Sequence, residues 1–250
     1  SYDAIRQASI FIQNAHETKE LSLAEINDLK AQARFLRAYF YWLLIKKYGP
    51  VPIMPIDGAD YTKSYDELSF PRNTFDECVD FISSEMVLAA KDLPEKRDNQ
   101  NIARPTKGAA LAVRAKVLVY AASPLYNGNT EMADCVDSHG KHLISQSYDE
   151  GKWAKAAAAA RDLIDYADQT GVYKIYTTPF REKAIDNSYP ASVTPPTCEP
   201  YSSTPFPNGW ADIDPFESYR SVFNGELYAS ENPELIFTRG KNGDKSDLST

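Results

Sequence analysis

The side chains best suited to chemistry lie close together late in the sequence. Tyr201, Phe206, Asn208, Trp210 and Asp212 fall within twelve positions, and Tyr189 precedes them. Flat rings beside amide and carboxylate groups suit a ligand with an apolar face and a hydroxylated edge, the general form of a sugar ring. Trp210, in the run Pro207–Asp212 (PNGWAD), is the leading candidate for such a contact. The competing reading is that Trp210 anchors its loop to the helices, and the sequence leaves both open.

Two other constellations offer different chemistry. Asp212 and Asp214 alternate along an extended stretch, which would place two carboxylates on one side roughly 7 Å apart, a separation that glycoside hydrolysis could use. A solvated loop pair is the favoured reading. Cys135, His139 and His142, with Asp134 and Asp137 beside them, have a spacing a metal could use. They lack the fourth ligand and regular spacing of a structural zinc site, and no metal or other cofactor is expected. The chain carries no glycine-rich phosphate loop, no His-Glu-x-x-His and no Gly-x-Ser-x-Gly, so no enzymatic activity is expected.

The bulk composition narrows the partners. A formal charge of -8 and a pI near 5 leave no basic field for a nucleic acid. The most apolar stretch, Phe35 to Ile45, contains Arg37 and falls short of the roughly 20 residues that span a bilayer. Three cysteines, Cys78, Cys135 and Cys198, form no framework; Cys78, near Phe75 and Val79, reads as a small buried hydrophobe. Ser1–Arg6 already reads as helix, with Ile5, Ala8 and Ile12 on one face, so the natural start is expected upstream.

Helices must position these groups. Ile26, Leu29, Ala33, Leu36, Phe40 and Leu43 recur at helical spacing, which predicts a buried face on a helix over about 23–48. Ser22-Leu-Ala-Glu25 is a capping box at its start, and Gly49-Pro50 stops it. A second box, Thr74-Phe-Asp-Glu77, opens a helix over about 74–93 that buries Phe75, Val79, Ile82, Met86 and Ala89. A third, over about 106–123, packs Ala110, Val113, Val117 and Tyr120 and ends or kinks at Ser123-Pro124. The fourth, over about 150–170, carries Trp153, Ala157, Ala160, Ile164 and Ala167 on one side, with Gly171 beyond its end.

These helices form two copies of one pair. A shift of 77 lays Lys30, Ala33, Leu36, Arg37 and Ala38 on Lys107, Ala110, Val113, Arg114 and Ala115; a shift of 78 lays Phe75, Val79, Ile82 and Met86 on Trp153, Ala157, Ala160 and Ile164. Such pairs cannot bury their apolar faces alone, so they are expected to stack as a right-handed, tetratricopeptide-like array, with residues 50–71 and 127–149 as loops upon it. Arg37 and Arg114 are expected to pair with acids where helices meet.

Composition changes after Gly171. Nine of the sixteen prolines lie between Val172 and Thr250, and Tyr173–Tyr219 holds nine aromatics against four aliphatics. Prolines at that density exclude long helices and central strands. The expected organisation is a helical scaffold over 1–171 and an irregular layer braced by rings over 172–250. Short structure is expected to return at Tyr219–Phe223 and, as a strand, at Glu234–Thr238.

Four stretches resemble one known family. Ala33–Tyr41 (ARFLRAYFY) followed by Lys47–Ile53 (KYGPVPI) resembles the signature helix and exit of SusD/RagB-like proteins. Lys107–Lys116 (KGAALAVRAK) running into Tyr120–Gly128 (YAASPLYNG) looks like a second hallmark, and Glu231–Phe237 (ENPELIF) like a third. Ile5–Phe11 (IRQASIF) also fits, while Gln32 departs from the acidic residue usual there. The resemblance implies a mainly α fold, a SusD-like α-α superhelix of tetratricopeptide-like pairs under a loop-rich ligand-binding region. It further implies an outer-membrane, surface-exposed lipoprotein that binds oligosaccharide and serves as a lid on a SusC-like, TonB-dependent transporter. Family members are close to twice this length, and an N-terminal lipid anchor would lie outside this chain. A tetratricopeptide-type peptide-binding adaptor is the alternative, disfavoured by the aromatic layer, and a glycoside hydrolase lacks a persuasive acid pair. The glycan itself is not legible.

Overall fold

The computed structural model describes residues 2–60, 62–179, 197–225 and 227–238. The chain divides into two compact units, Ser1–Asp98 with Arg104–Gln169, and Asn99–Ala103 with Thr170–Thr250. The first is helical: α1 (Tyr2–Asn14), α2 (Leu23–Tyr48), the single turn α3 (Tyr65–Leu68), α4 (Phe75–Asp92), α5 (Lys107–Ala122) and α6 (Gly151–Thr170). Among the described residues only isolated bridges occur and no sheet forms.

Local chemistry sets the helix ends. Ser22 Oγ accepts the Glu25 N–H while the Glu25 carboxylate accepts the Ser22 N–H, and Thr74 with Glu77 does the same, satisfying N–H groups that the first turn leaves without intrahelical partners. Gly49 ends α2 at φ 68, a left-handed conformation that glycine adopts without steric cost. Ser123 closes α5, where Pro124 could not continue it.

Packing follows chain order. α2 contacts both α1 and α4, and α4 contacts α5. Rings mesh at these contacts: Trp42 meets Tyr120 edge-on at 5.1 Å, Tyr41 meets Phe81 edge-on at 5.2 Å, and Phe75 stacks on Tyr126. α6 is tied to the others by Arg114–Asp162 at 2.6 Å, by Lys152–Asp76 at 2.6 Å, and by Lys107 over the Tyr166 ring. The predicted face of α4 is buried throughout, as are Cys78, Ala110, Val113 and Val117.

Two predicted faces are corrected. On α2 the buried apolar residues are Ala31, Ala33, Phe35, Ala38, Tyr41, Trp42 and Ile45; Leu36 and Leu43 are more than a third exposed, and Ile26, Leu29 and Phe40 are half-buried. The helix carries two apolar stripes, and its neighbours α1 and α4 select the Phe35–Trp42–Ile45 stripe over the adjacent one. On α6 the buried residues are Ala156, Ala159 and Tyr166, whereas Trp153 is 42% and Ile164 51% exposed, Ala157 is exposed, and Ala160 and Ala167 are half-buried. The expected close approach of this alanine-rich side to a neighbouring helix is not seen: α6 is held to the others by the long side chains of Arg114, Lys152 and Lys107.

In the second unit, α7 (Pro215–Phe223) covers the expected Tyr219–Phe223. Asp214 caps it by accepting the Glu217 N–H, and Pro215 takes the first helical position, where an N–H has no partner to lose. Glu234–Thr238 is not a strand. In the neighbouring stretch 173–176, Lys174 N–H donates to the Pro233 carbonyl and Tyr176 N–H to the Glu234 carboxylate, but no ladder forms.

Candidate functional site

The aromatic run predicted to carry recognition folds as a closed loop over 198–213. Trp210 N–H donates to the Tyr201 carbonyl and Ala211 N–H to that of Thr204, both at 3.0 Å, bringing the arms of the loop together. Gly209 makes this possible: a Cβ there would lie 2.3 Å from the Tyr201 carbonyl oxygen and 2.2 Å from that of Thr204. Closure sets the Tyr201 and Trp210 rings in a stacked arrangement, centroids 6.1 Å apart and planes 16° from parallel, with Tyr201 half exposed. At the loop base, the hydroxyls of Ser203 and Ser202 donate to Glu199 and hold its carboxyl below the usual range.

The other predicted residues divide by role. The Asp212 carboxylate accepts the Phe206 N–H at 2.8 Å and so holds the loop, while Phe206 is half-buried. Asn208 is exposed, and its backbone N–H closes a turn onto Pro205. Tyr189 lies outside the described residues. Asp212 and Asp214 are both engaged by backbone N–H groups, one in the loop and one as a helix cap, so they do not stand as a free acid pair. Among the described residues no group of three or more His, Cys, Asp or Glu side chains is arranged to hold a metal ion, and no helix is long and apolar enough to cross a membrane.

The signature helix does unexpected work in the first unit. Arg37 was expected to meet an acid; instead it lies 4% exposed, donating through Nε to Ser9 Oγ at 3.0 Å and through Nη2 to the Met54 carbonyl at 2.7 Å. Its guanidinium lies over the Phe81 and Tyr41 rings, which supply the attraction a carboxylate would otherwise provide. Arg34 takes the acidic partner, Glu85, at 2.8 Å. Tyr41 completes the clamp: its hydroxyl accepts the Met54 N–H at 2.8 Å, and burial raises its pKa.

Residues 51–54 are thus pinned along the backbone without belonging to a sheet. The Pro52 carbonyl accepts the Tyr2 hydroxyl, the Ile53 N–H donates to Asn73 Oδ1, and the Val51 carbonyl accepts the Asn73 N–H and the Cys78 thiol. Burial pushes the Tyr2 phenol up to about 12. Beyond this segment a cavity of about 510 Å³ opens between α1 and residues 52–70. Sequence reading missed it because its walls come from two separated stretches. The one available signal was the dense Pro50-Val-Pro-Ile-Met-Pro55 run, an extended wall by composition.

Similarity to known proteins agrees with this architecture. Residues 1–119 match the family model SusD-like, described as starch-binding associating with outer membrane. No curated protein matches the chain. Among solved structures, selenomethionine BT4246 is 34% identical over 71% of this chain and 29% of its own, with a TM-score of 0.60. A further BT4246 structure is 28% identical over 97% of this chain and 40% of its own, with a TM-score of 0.71. A SusD-like protein, BF3747 from Bacteroides fragilis, shares the fold at 20% identity, with a TM-score of 0.55 over 96% of this chain and 32% of its own. The chain therefore spans less than half the length of these structures. The fold, mainly helical and tetratricopeptide-like, is that of SusD-like proteins, and residues 1–119 match their family model.

Proposed function

We propose that this chain is part of a non-catalytic, surface-exposed outer-membrane lipoprotein that binds oligosaccharide and passes it to a SusC-like, TonB-dependent transporter. The observation that carries the reading is the Tyr201–Trp210 stack, displayed on a loop whose polar backbone groups are internally bonded. A flat, partly exposed ring pair held in place before binding lowers the ordering cost of recognition. The family description, starch-binding and associating with outer membrane, supports carbohydrate as ligand and the membrane as location. Engagement of Asp212 and Asp214 in loop and cap supports binding without hydrolysis. The division of labour would be a helical scaffold over 1–171 and a ligand-binding layer over 172–250.

The test is calorimetry of the whole protein with neutral oligosaccharides, maltoheptaose, laminarihexaose and xylohexaose, beside an assay for new reducing ends. Saturable heat with no release of reducing ends is expected. Release of reducing ends would replace the reading with a hydrolase.

A further inference from the structure

We propose that the cavity between α1 and residues 52–70 is a second sugar site, built from residues other than those of the 198–213 loop and suited to a neutral oligosaccharide; this rests on the glycan-binding reading above. Its volume of about 510 Å³ falls within the range of small-molecule sites, roughly 300–1,000 Å³. Its wall needs no rearrangement to bind. Met54 is held at both backbone polar groups, by Tyr41 and by Arg37, and Pro52 is held by Tyr2.

The lining tells what fits. Ile5, Met54, Ile56 and Phe70 give an apolar floor, against which the C–H face of a ring can lie. At the rim stand Arg6, Asp3 and Asp57. Asp57 accepts the Gln13 amide at 2.5 Å, whereas Arg6 and Asp3 make no hydrogen bond or ion pair with the described residues. Gly58, at φ 80, lets the Arg6 guanidinium lie against the loop: a Cβ at residue 58 would sit 2.7 Å from Arg6 Nη1.

Charge decides among ligand classes. Two carboxylates and one guanidinium give the rim a net negative charge, which disfavours an acidic sugar. A purely apolar ligand would desolvate these charged groups without replacing their hydrogen bonds. A neutral ring with vicinal hydroxyls donates to Asp3 and Asp57 and accepts from Arg6 while its apolar face covers the floor.

The methionines offer a direct reading. Met54 lines the cavity, Met86 is fully buried in the core and Met132 lies on an exposed turn. With methyl-13C-methionine in the whole protein and Met54 assigned by Met54→Leu, the three neutral oligosaccharides should include one that shifts the Met54 methyl saturably while Met86 and Met132 stay still. Arg6→Ala and Asp3→Ala should each weaken that titration about ten- to a hundredfold, the effect of losing a charged hydrogen bond, without lowering the melting temperature. Trp210→Ala should leave it in place. Calorimetric binding with a silent Met54 would overturn the cavity site alone, leaving the loop as the binding surface. A Met54 response to glucuronate or to anilinonaphthalene sulfonate, with none to neutral sugars, would also overturn it. Silence in calorimetry and in the Met54 signal would remove the cavity site and the glycan-binding reading together.

Discussion

Arg37 and Arg114 occupy matching places in the two helix pairs, 77 residues apart, yet they do different things. Arg37 is buried, holds the Met54 carbonyl and lies over two rings; Arg114 reaches Asp162, whose side chain is 56% exposed. The first pair has turned a repeat position into a clamp on its exit loop, and the second keeps it as a partly solvated tie between helices. Matching positions in a sequence repeat therefore do not fix what each side chain does.

The largest expected effect lies in the first pair's core. Phe35→Ala should destabilise by about 3 to 5 kcal/mol, the usual range for truncating a buried Phe, while the half-buried Phe40 should lose clearly less in the same melts. Equal losses would return Phe40 to the buried face.

The two arginines break the comparison next. Arg37→Met should cost about 3 kcal/mol, because it removes the charged hydrogen bonds that a buried guanidinium makes to Ser9 and to the part-buried Met54 carbonyl. Arg114→Met should cost less than about 1 kcal/mol, as expected for a partly exposed ion pair. Denaturant melts that ranked them the other way would refute the clamp.

A smaller effect tests the departure at Gln32. Its amide donates to Asp28, which also receives two bonds from Arg97, both at 2.7 Å. Gln32→Glu would replace a donor by a second carboxylate four residues from the first, and a loss of about 1 kcal/mol is expected in the same melts.

The smallest concerns pH. Lys141, with the Thr74 N–H next in weight, lowers the Glu77 carboxyl from 4.5 to about 2. A carboxyl depressed by folding contributes stability above its unfolded value and loses it as pH falls from about 4.5 towards 2. The melting temperature should drop across that window, and less so in Lys141→Ala; an identical drop would remove the Lys141–Glu77 pair as a contributor.

Much of the scaffold was legible because its signals are local. Ser22 with Glu25 and Thr74 with Glu77 announce helix starts by side-chain chemistry, and α4, apolar on one side, shows its buried face by spacing alone. α2 and α6 misled because each carries two apolar stripes, and only a neighbouring helix selects between them. The loop was legible as a set of residues, but not the use of Asp212 to hold Phe206, which depends on how the chain turns back at Gly209. Arg37's partners were not legible at all, since Ser9 and Met54 lie 28 and 17 residues away.

The Tyr201–Trp210 pair is best tested by calorimetry of Trp210→Ala with whichever neutral oligosaccharide the whole protein binds, run beside a thermal melt of the same sample. Loss of one stacking contact of about 1 to 2 kcal/mol should weaken binding roughly five- to thirtyfold at a nearly unchanged melting temperature. Unchanged affinity in a well-folded variant, or a lowered melting temperature with affinity following only the loss of fold, would contradict it and leave Trp210 as an anchor of its loop.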